Sequence, residues 1–320
     1  MYRIGIDLGG TNIAAGLVND SYKILQKVSV PTEAATRTAE EIADAMAALC
    51  QTLCEKEGIT LSDIEAIGVA SPGAVDNQTG SVVYCSSLPF RHFSVAAHLR
   101  KKTGVTSVHV ENDANAAAWG EAVAGAAKGS KSSVMITLGT GVGGGVIIDN
   151  KIMSGFNFAG GELGHMVIEH GGVPCECGRC GCWERYSSAT ALIRMTKEKM
   201  EECRQTGRKT SMHAFAEKSG KVSGRTAFDA MRAGDAAATE LVEKYILYLA
   251  EGVSNIINIF QPEILTIGGG ISGERDNLLK PLLPLVRART YGGSMIKPTD
   301  IRIAELGNDA GIIGAAFLGI

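Results

Sequence analysis

Apolar residues fall into short runs and alternating stretches that predict an α/β protein. Residues 2–8, 13–18 and 24–30 follow one another with short polar breaks, which predicts an antiparallel meander feeding a mixed sheet. Next, Ala39, Ile42, Ala43, Met46, Leu49, Cys50 and Leu53 recur at helical spacing until Gly58 stops the helix. Residues 64–70 read as a buried strand ending in a stiff turn, Ser71-Pro72-Gly73-Ala74-Val75-Asp76. A helix at 94–103 and a strand at 107–110 lead into Glu111-Asn112-Asp113-Ala114-Asn115, which opens an alanine-rich helix to about residue 127. Strands at 134–138 and 145–148 flank Gly139-Thr140-Gly141-Val142-Gly143-Gly144. From 186 to about 260 the pattern is mostly helical, with Leu241, Tyr245, Leu249, Val253, Ile256, Ile257 and Phe260 on one apolar face. A strand at 264–267, the loop Gly268-Gly269-Gly270, a helix at 278–289 broken early by prolines, a strand at 301–305 and a helix at 310–318 complete the chain.

Two stretches share one pattern: residues 4–18 and 134–148 each read strand, glycine-rich tight turn, strand. This duplication predicts two α/β lobes with a cleft between them. The expected division is 1–112, completed by a closing segment at about 308–320, against 113–307.

Composition narrows the function classes. A net charge of −3 over 320 residues leaves no basic stripe for nucleic acid. No leader is visible and no apolar run approaches the roughly 20 residues of a membrane span, so the expectation is a cytoplasmic protein without a membrane partner. Forty glycines point to many tight turns or close backbone approaches. Of the eight cysteines, Cys50, Cys54 and Cys85 sit in core patterns and Cys203 reads as an ordinary thiol.

The other four, Cys175, Cys177, Cys180 and Cys182, crowd into one short loop with His165 upstream. Thiolates and imidazole suit zinc, and a closed set of four ligands makes a structural site rather than a catalytic one. A redox dithiol is disfavoured, because Cys177-Gly178-Arg179-Cys180 does not open a helix. Four cysteines plus His165 exceed tetrahedral need by one, so the ligand set stays open at this level.

Gly139 to Gly144 fits the literal GxGxxG fingerprint, but a strand follows it where that fingerprint needs a helix. Glycines in a hairpin instead present successive N–H groups, a nest suited to phosphate. Asp7-Leu8-Gly9-Gly10-Thr11-Asn12 is a second hairpin of this kind, and Gly268-Gly269-Gly270 is a third glycine loop. A Walker A loop is excluded, since Ser130 stands where its second glycine belongs. Three such loops point to a nucleoside polyphosphate. Asp113 serves either as a helix N-cap or as a base that accepts a hydroxyl proton during phosphoryl transfer. Asp7, beside a phosphate-type hairpin, is a candidate Mg²⁺-side carboxylate or a turn cap. Glu162 and Glu184 flank the metal candidates and suit a polyol, ligand orientation or plain solvent exposure.

Taken together these residues resemble the ROK family, which contains sugar kinases and sugar-responsive repressors. The resemblance rests on Cys175-x-Cys177-Gly178-x-x-Gly181-Cys182-x-Glu184, Gly161-Glu162-Leu163-Gly164-His165 and Asp7-Leu8-Gly9-Gly10-Thr11. Pro72-Gly73-x-Val75-Asp76, Leu88-Pro89-Phe90, Glu111 to Asn115, Leu138 to Gly144 and Ile267 to Ser272 extend it over nearly the whole chain. It implies the actin-like, ribonuclease-H-like two-lobed fold and ATP-dependent phosphorylation of a hexose. By resemblance, Asp113 is the general base and Asp7 the Mg²⁺-side acid. Gly9, Gly10, Thr11, Asn12, Gly139, Thr140 and Gly141 hold phosphates, and Gly268, Gly269 and Gly270 lie near the adenosine. Gly73, Asn112, Asp113, Glu162, His165 and Glu184 meet the sugar. Cys175, Cys177, Cys182 and the other nitrogen of His165 hold a structural zinc. Cys180 departs from the family pattern as a competing ligand. The context Glu184-Arg185-Tyr186-Ser187-Ser188-Ala189-Thr190 implies glucose first, with N-acetylmannosamine, allose or fructose as other hexose-class substrates. A homodimer or homotetramer is the implied assembly. The repressor alternative needs a DNA-binding segment ahead of Asp7, where the sequence leaves no room.

Overall fold

In the computed structural model, residues 1–319 are described; Ile320, the last residue of the expected closing segment, lies outside them. The chain divides into two compact units, one made of Met1–Met135, Gly145–Gly161 and Ala304–Ile320, the other of Ile136–Gly144 and Glu162–Ile303. Among the described residues no helix is long and apolar enough to cross a membrane.

The first unit opens with β1 (Tyr2–Leu8), β2 (Asn12–Asn19) and β3 (Ile24–Pro31), followed by α1 (Ala39–Glu57) and β4 (Ile64–Ser71). Three short strands, β5 (Ala74–Asp76), β6 (Ser81–Tyr84) and β7 (Arg91–Ser94), form a separate antiparallel sheet, where the sequence suggests a turn at 71–76 and a strand pattern at Cys85. After them come α2 (Val95–Thr103), β8 (Val108–Asn112) and α3 (Asp113–Val123). The main sheet has the order β3-β2-β1-β4-β8, antiparallel across the meander and parallel from β1 onward, as the pattern predicts. Ile4, Ile6 and Leu8 alternate onto one face of β1 and join Ile42, Met46 and Leu53 of α1 in the core. Helix α1 starts with a reciprocal capping box between Thr38 and Glu41 and ends at Gly58, whose φ of 75° only glycine adopts cheaply.

Gly5 and Asp7 alternate onto the opposite face of β1. Gly16, Gly5 and Gly68 stand side by side on β2, β1 and β4. They let α10 (Ala310–Ala316) lie with its backbone directly on the strands. A Cβ at Gly5 would stand 1.8 Å from the Ile312 carbonyl oxygen, and one at Gly68 would stand 1.7 Å from that of Ala315. On its other side α10 meets α3 as closely: a Cβ at Gly314 would lie 1.7 Å from the Ala116 oxygen.

Strands β9 (Ser133–Leu138) and β10 (Val142–Ile148) carry the chain between the residues of the two units, and β11 (Lys151–Ile152) pairs with β10. The second sheet has the order β11-β10-β9-β12-β13, with β12 at Ile264–Gly268 and β13 at Asp300–Ile303. Helices α4 (Glu184–Ser187), α5 (Ala189–Thr206), α6 (Met212–Lys218), α7 (Thr226–Arg232) and α8 (Ala236–Phe260) supply the expected helical stretch. The prolines expected to break the next helix do not: α9 runs unbroken from Asp276 to Arg289 with Pro281 and Pro284 inside it. Both prolines are exposed, opposite the buried Leu278, Leu282 and Val286, so the carbonyls they leave unbonded face water.

Gly68→Ala is predicted to destabilise the protein by about 3 kcal/mol or more, since a methyl group there meets backbone rather than a flexible side chain. Chemical denaturation that gives an unchanged midpoint would contradict this packing.

Candidate functional site

In the first unit, Asp7 is the next-to-last residue of β1, on the α10 face, and the β1–β2 hairpin follows. Gly9 N–H donates to the Asn12 carbonyl at 2.9 Å, and Thr32 clamps the turn through its hydroxyl to the Gly9 carbonyl at 2.6 Å. Gly10, Thr11 and Asn12 remain exposed. Thr32 is fully buried and escapes sequence reasoning, because a lone threonine after a strand carries no distinguishing signal.

β8 delivers Asn112 and Asp113 to the start of α3. Asn112 is the N-cap: its Oδ1 accepts from the N–H groups of Ala114 at 2.9 Å and Asn115 at 3.2 Å. The Asn112 amide donates to the Gly73 carbonyl at 3.1 Å, tying the two segments together. Gly73 has a φ of 96°, and a Cβ on it would stand 2.2 Å from the Tyr84 oxygen. Asp113 is therefore free of the capping role and occupies the first helical position, with Oδ1 accepting from the Ala114 N–H at 2.9 Å. The Asn115 amide donates to Glu111 Oε1 at 3.1 Å.

The two acids are electrostatically linked. Burial, with the Asp113 carboxylate nearby, pushes the Asp7 carboxyl up to about 6, while Lys27 opposes the rise. Asp113 keeps part of its surface open to water, yet the protein atoms crowded around it raise its carboxyl above the usual carboxylate range. Hydrogen bonds from Ala114, from its own N–H and from Asn112 limit that rise.

In the second unit, the hairpin between β9 and β10 turns at Gly139-Thr140-Gly141, closed by Gly139 N–H to the Gly141 carbonyl at 3.0 Å. Glu184, at the start of α4, lies against it, with Oε2 accepting from the Val142 N–H at 3.2 Å. A Cβ on Gly141 would come within 2.4 Å of that oxygen, so glycine is what makes room for the carboxylate. This seating was not anticipated from the sequence. The Leu163–His165 turn packs on the same hairpin through Gly164, where a Cβ would stand 2.2 Å from the Val142 carbonyl oxygen. Glu162 is exposed at the head of that turn. The Gly268-Gly269-Gly270 loop closes on the end of β9: Gly269, at φ 81°, would place a Cβ 2.6 Å from Leu138 backbone.

His165, Cys175, Cys177 and Cys182 bring one ligand atom each to within 4.8 Å of one another. His165 Nδ1 is 3.7 Å from Cys175 Sγ, and Cys177 Sγ is 3.6 Å from Cys182 Sγ. A tetrahedron with metal–sulfur bonds of about 2.3 Å has edges of about 3.7 Å, so the spacing fits zinc. Burial and the neighbouring thiols push Cys182 up to about 12, whereas the Arg179 N–H lowers Cys177. Cys180, exposed, is not among the four. Glu184 reaches this cluster too: the Cys175 thiol lies 3.6 Å from its Oε1.

Two α/β units that each carry a strand–glycine turn–strand hairpin define the actin-like, ribonuclease-H-like fold class. The chain belongs to the ROK family, whose model, described as "ROK family", matches residues 3–320. It is 35% identical over 321 residues to a glucokinase of Halalkalibacterium halodurans, covering 99% of this chain and 94% of that one. It is 37% identical over 319 residues to a glucokinase of Thermotoga maritima, covering 98% and 96%. The crystal structure of a ROK family glucokinase from Streptomyces griseus in complex with glucose and AMPPNP aligns with a TM-score of 0.79, at 35% identity and 99% coverage of both chains.

Metal analysis of reduced protein is predicted to find one zinc per chain, absent from a Cys177→Ser, Cys182→Ser double variant. Zinc-free wild-type protein would refute the site. For Asp7, the raised folded-state pKa means that the folded protein binds more protons than the unfolded chain between about pH 4 and pH 6. Stability is accordingly lost as pH rises through that window. Asp7→Asn is predicted to raise the melting temperature at pH 7.5, by at most about 3 kcal/mol in free energy, with the gain vanishing near pH 4. A gain that is the same at both pH values would contradict the assignment.

Proposed function

We propose that this protein is an ATP-dependent hexose kinase acting on glucose, transferring the γ-phosphoryl group to the 6-hydroxyl. The observation that carries the reading is Asp113 itself: Asn112 takes over the helix cap, and the carboxylate stands at the helix start with a raised pKa. A base whose pKa is raised toward neutrality is better matched to accepting a hydroxyl proton. Support also comes from two glucokinase relatives at 35% and 37% identity and from the glucose- and AMPPNP-bound structure of a third.

In this mechanism Gly73, Asn112, Glu162, His165 and Glu184 bind the sugar hydroxyls, and Asp113 accepts the 6-hydroxyl proton as that oxygen attacks phosphorus. The backbone N–H groups of Gly9 to Asn12 and of Gly139 to Gly141 hold the phosphates, and Gly268 to Gly270 adjoin the adenosine. Mg²⁺, when bound through Asp7, supplies charge neutralisation on the polyphosphate. Cys175, Cys177, Cys182 and Nδ1 of His165 would hold zinc, leaving Nε2 of His165 for the sugar. A homodimeric or homotetrameric assembly and a cytoplasmic location belong to the same proposal.

The test is ADP release with glucose and ATP, for the wild type and for Asp113→Ala. The wild type is expected to turn over glucose, and the variant to lose roughly 10²- to 10⁴-fold in kcat with a smaller change in glucose affinity. Near-normal turnover in folded Asp113→Ala would sink the base assignment.

A further inference from the structure

Glu111 is 3% exposed, has no cation partner among the described residues, and accepts two hydrogen bonds on each carboxylate oxygen. Oε1 accepts from the Asn112 N–H at 2.9 Å and the Asn115 amide at 3.1 Å. Oε2 accepts from the Asn77 amide at 2.7 Å and the Ser154 hydroxyl at 3.0 Å, and Asn77 also donates to Ser154 at 3.1 Å. Asn115 keeps its amide on Glu111 although its own buried Oδ1 has no partner among the described residues. These four donors come from three separate stretches. Asn77 follows the Gly73 turn, Asn112 and Asn115 bracket Asp113, and Ser154 stands eight residues before Glu162 along the chain. The Asn112 amide on the Gly73 carbonyl closes the ring between the first two.

We propose that Glu111 is a positioning residue: its buried carboxylate sets the register of the Gly73, Asp113 and Ser154 segments, and so aims Asp113 at the sugar hydroxyl. Its four hydrogen bonds run to other residues of the fold. Its role in turnover rests on the kinase reading above; its role as a tether does not.

The tether needs acceptors at Oε1 more than it needs charge. In Glu111→Gln the amide oxygen still serves Asn112 and Asn115, while Ser154 turns to accept and Asn77 flips. Glu111→Ala leaves those donors unpaired and the base misaligned, an error that costs about 10²-fold in turnover. The experiment pairs kinetics with amide hydrogen exchange on the full chain. For Glu111→Ala, kcat per folded molecule is expected to fall about 10²-fold with ATP KM unchanged. Peptides covering 73–80, 108–116 and 150–158 are expected to lose protection together, and Glu111→Gln to restore both readouts to within about fivefold. Wild-type kcat per folded molecule in Glu111→Ala, or a Glu111→Gln variant as impaired as Glu111→Ala, would overturn the proposal. If Glu111→Ala does not fold, Ser154→Ala carries the test, with roughly tenfold lower kcat expected and unchanged kcat and exchange overturning it. A wild-type protein inert toward glucose would refute the kinase reading, while the exchange data would still decide the tether.

Discussion

The first unit depends on one close approach, the backbone of α10 lying against glycines of the sheet. Gly16, Gly5 and Gly68 clear a track across three strands, and Gly314 and Gly120 clear the contact with α3. Two acids are placed by it. Asp7 follows Gly5 on the same face of β1, and Gly311 at the head of α10 leaves room for its carboxylate, since a Cβ there would stand 2.8 Å from Oδ2. Asp113 begins α3, the helix that α10 presses upon from its other side. A side chain anywhere on the track would move α10 away from one neighbour and shift the two carboxylates relative to each other.

That arrangement explains the electrostatics. Burial, with the Asp113 carboxylate nearby, raises the Asp7 carboxyl, while burial alone raises that of Asp113. In the proposed kinase, these two carboxyls stand where a cation and a proton would be handled side by side. Asn112 makes it possible, because a cap supplied by the neighbouring residue releases Asp113 from stabilising its own helix.

Much of this was legible in the residues. The period of two in β1, the helical spacing of Ile42, Met46 and Leu53, and the glycine turns after Asp7 and Leu138 are all local signals, and local signals survive translation into structure. The resemblance carried the fold class and the family. What stayed hidden depends on partners distant in sequence. Glycine inside a strand reads as a weakness, so the track under α10 was invisible until its neighbour was known. The sheet at 74–94 is built of strands three or four residues long, too short to show a period. Pro281 and Pro284 read as breakers because their exposure on one helical face cannot be seen without the buried Leu278 and Leu282. The choice of Asn112 over Asp113 as cap is a matter of one residue of register, which composition does not encode.

Glu184 shows how the cysteine loop acts within the second unit. One carboxylate oxygen sits on the Val142 N–H of the glycine hairpin, and the other lies beside Cys175, so the hairpin and the ligand cluster share a single side chain. His165 makes the same connection from the other direction: its Nδ1 belongs to the cluster while Gly164, one residue earlier, packs on Val142. Four soft ligands in a closed set leave no position for an activated water, so the cluster's effect is geometric. It holds the loop that carries Glu184 and the turn that carries His165 in fixed relation to the hairpin. A metal that does no chemistry can still decide whether the residues beside it are where the chemistry needs them.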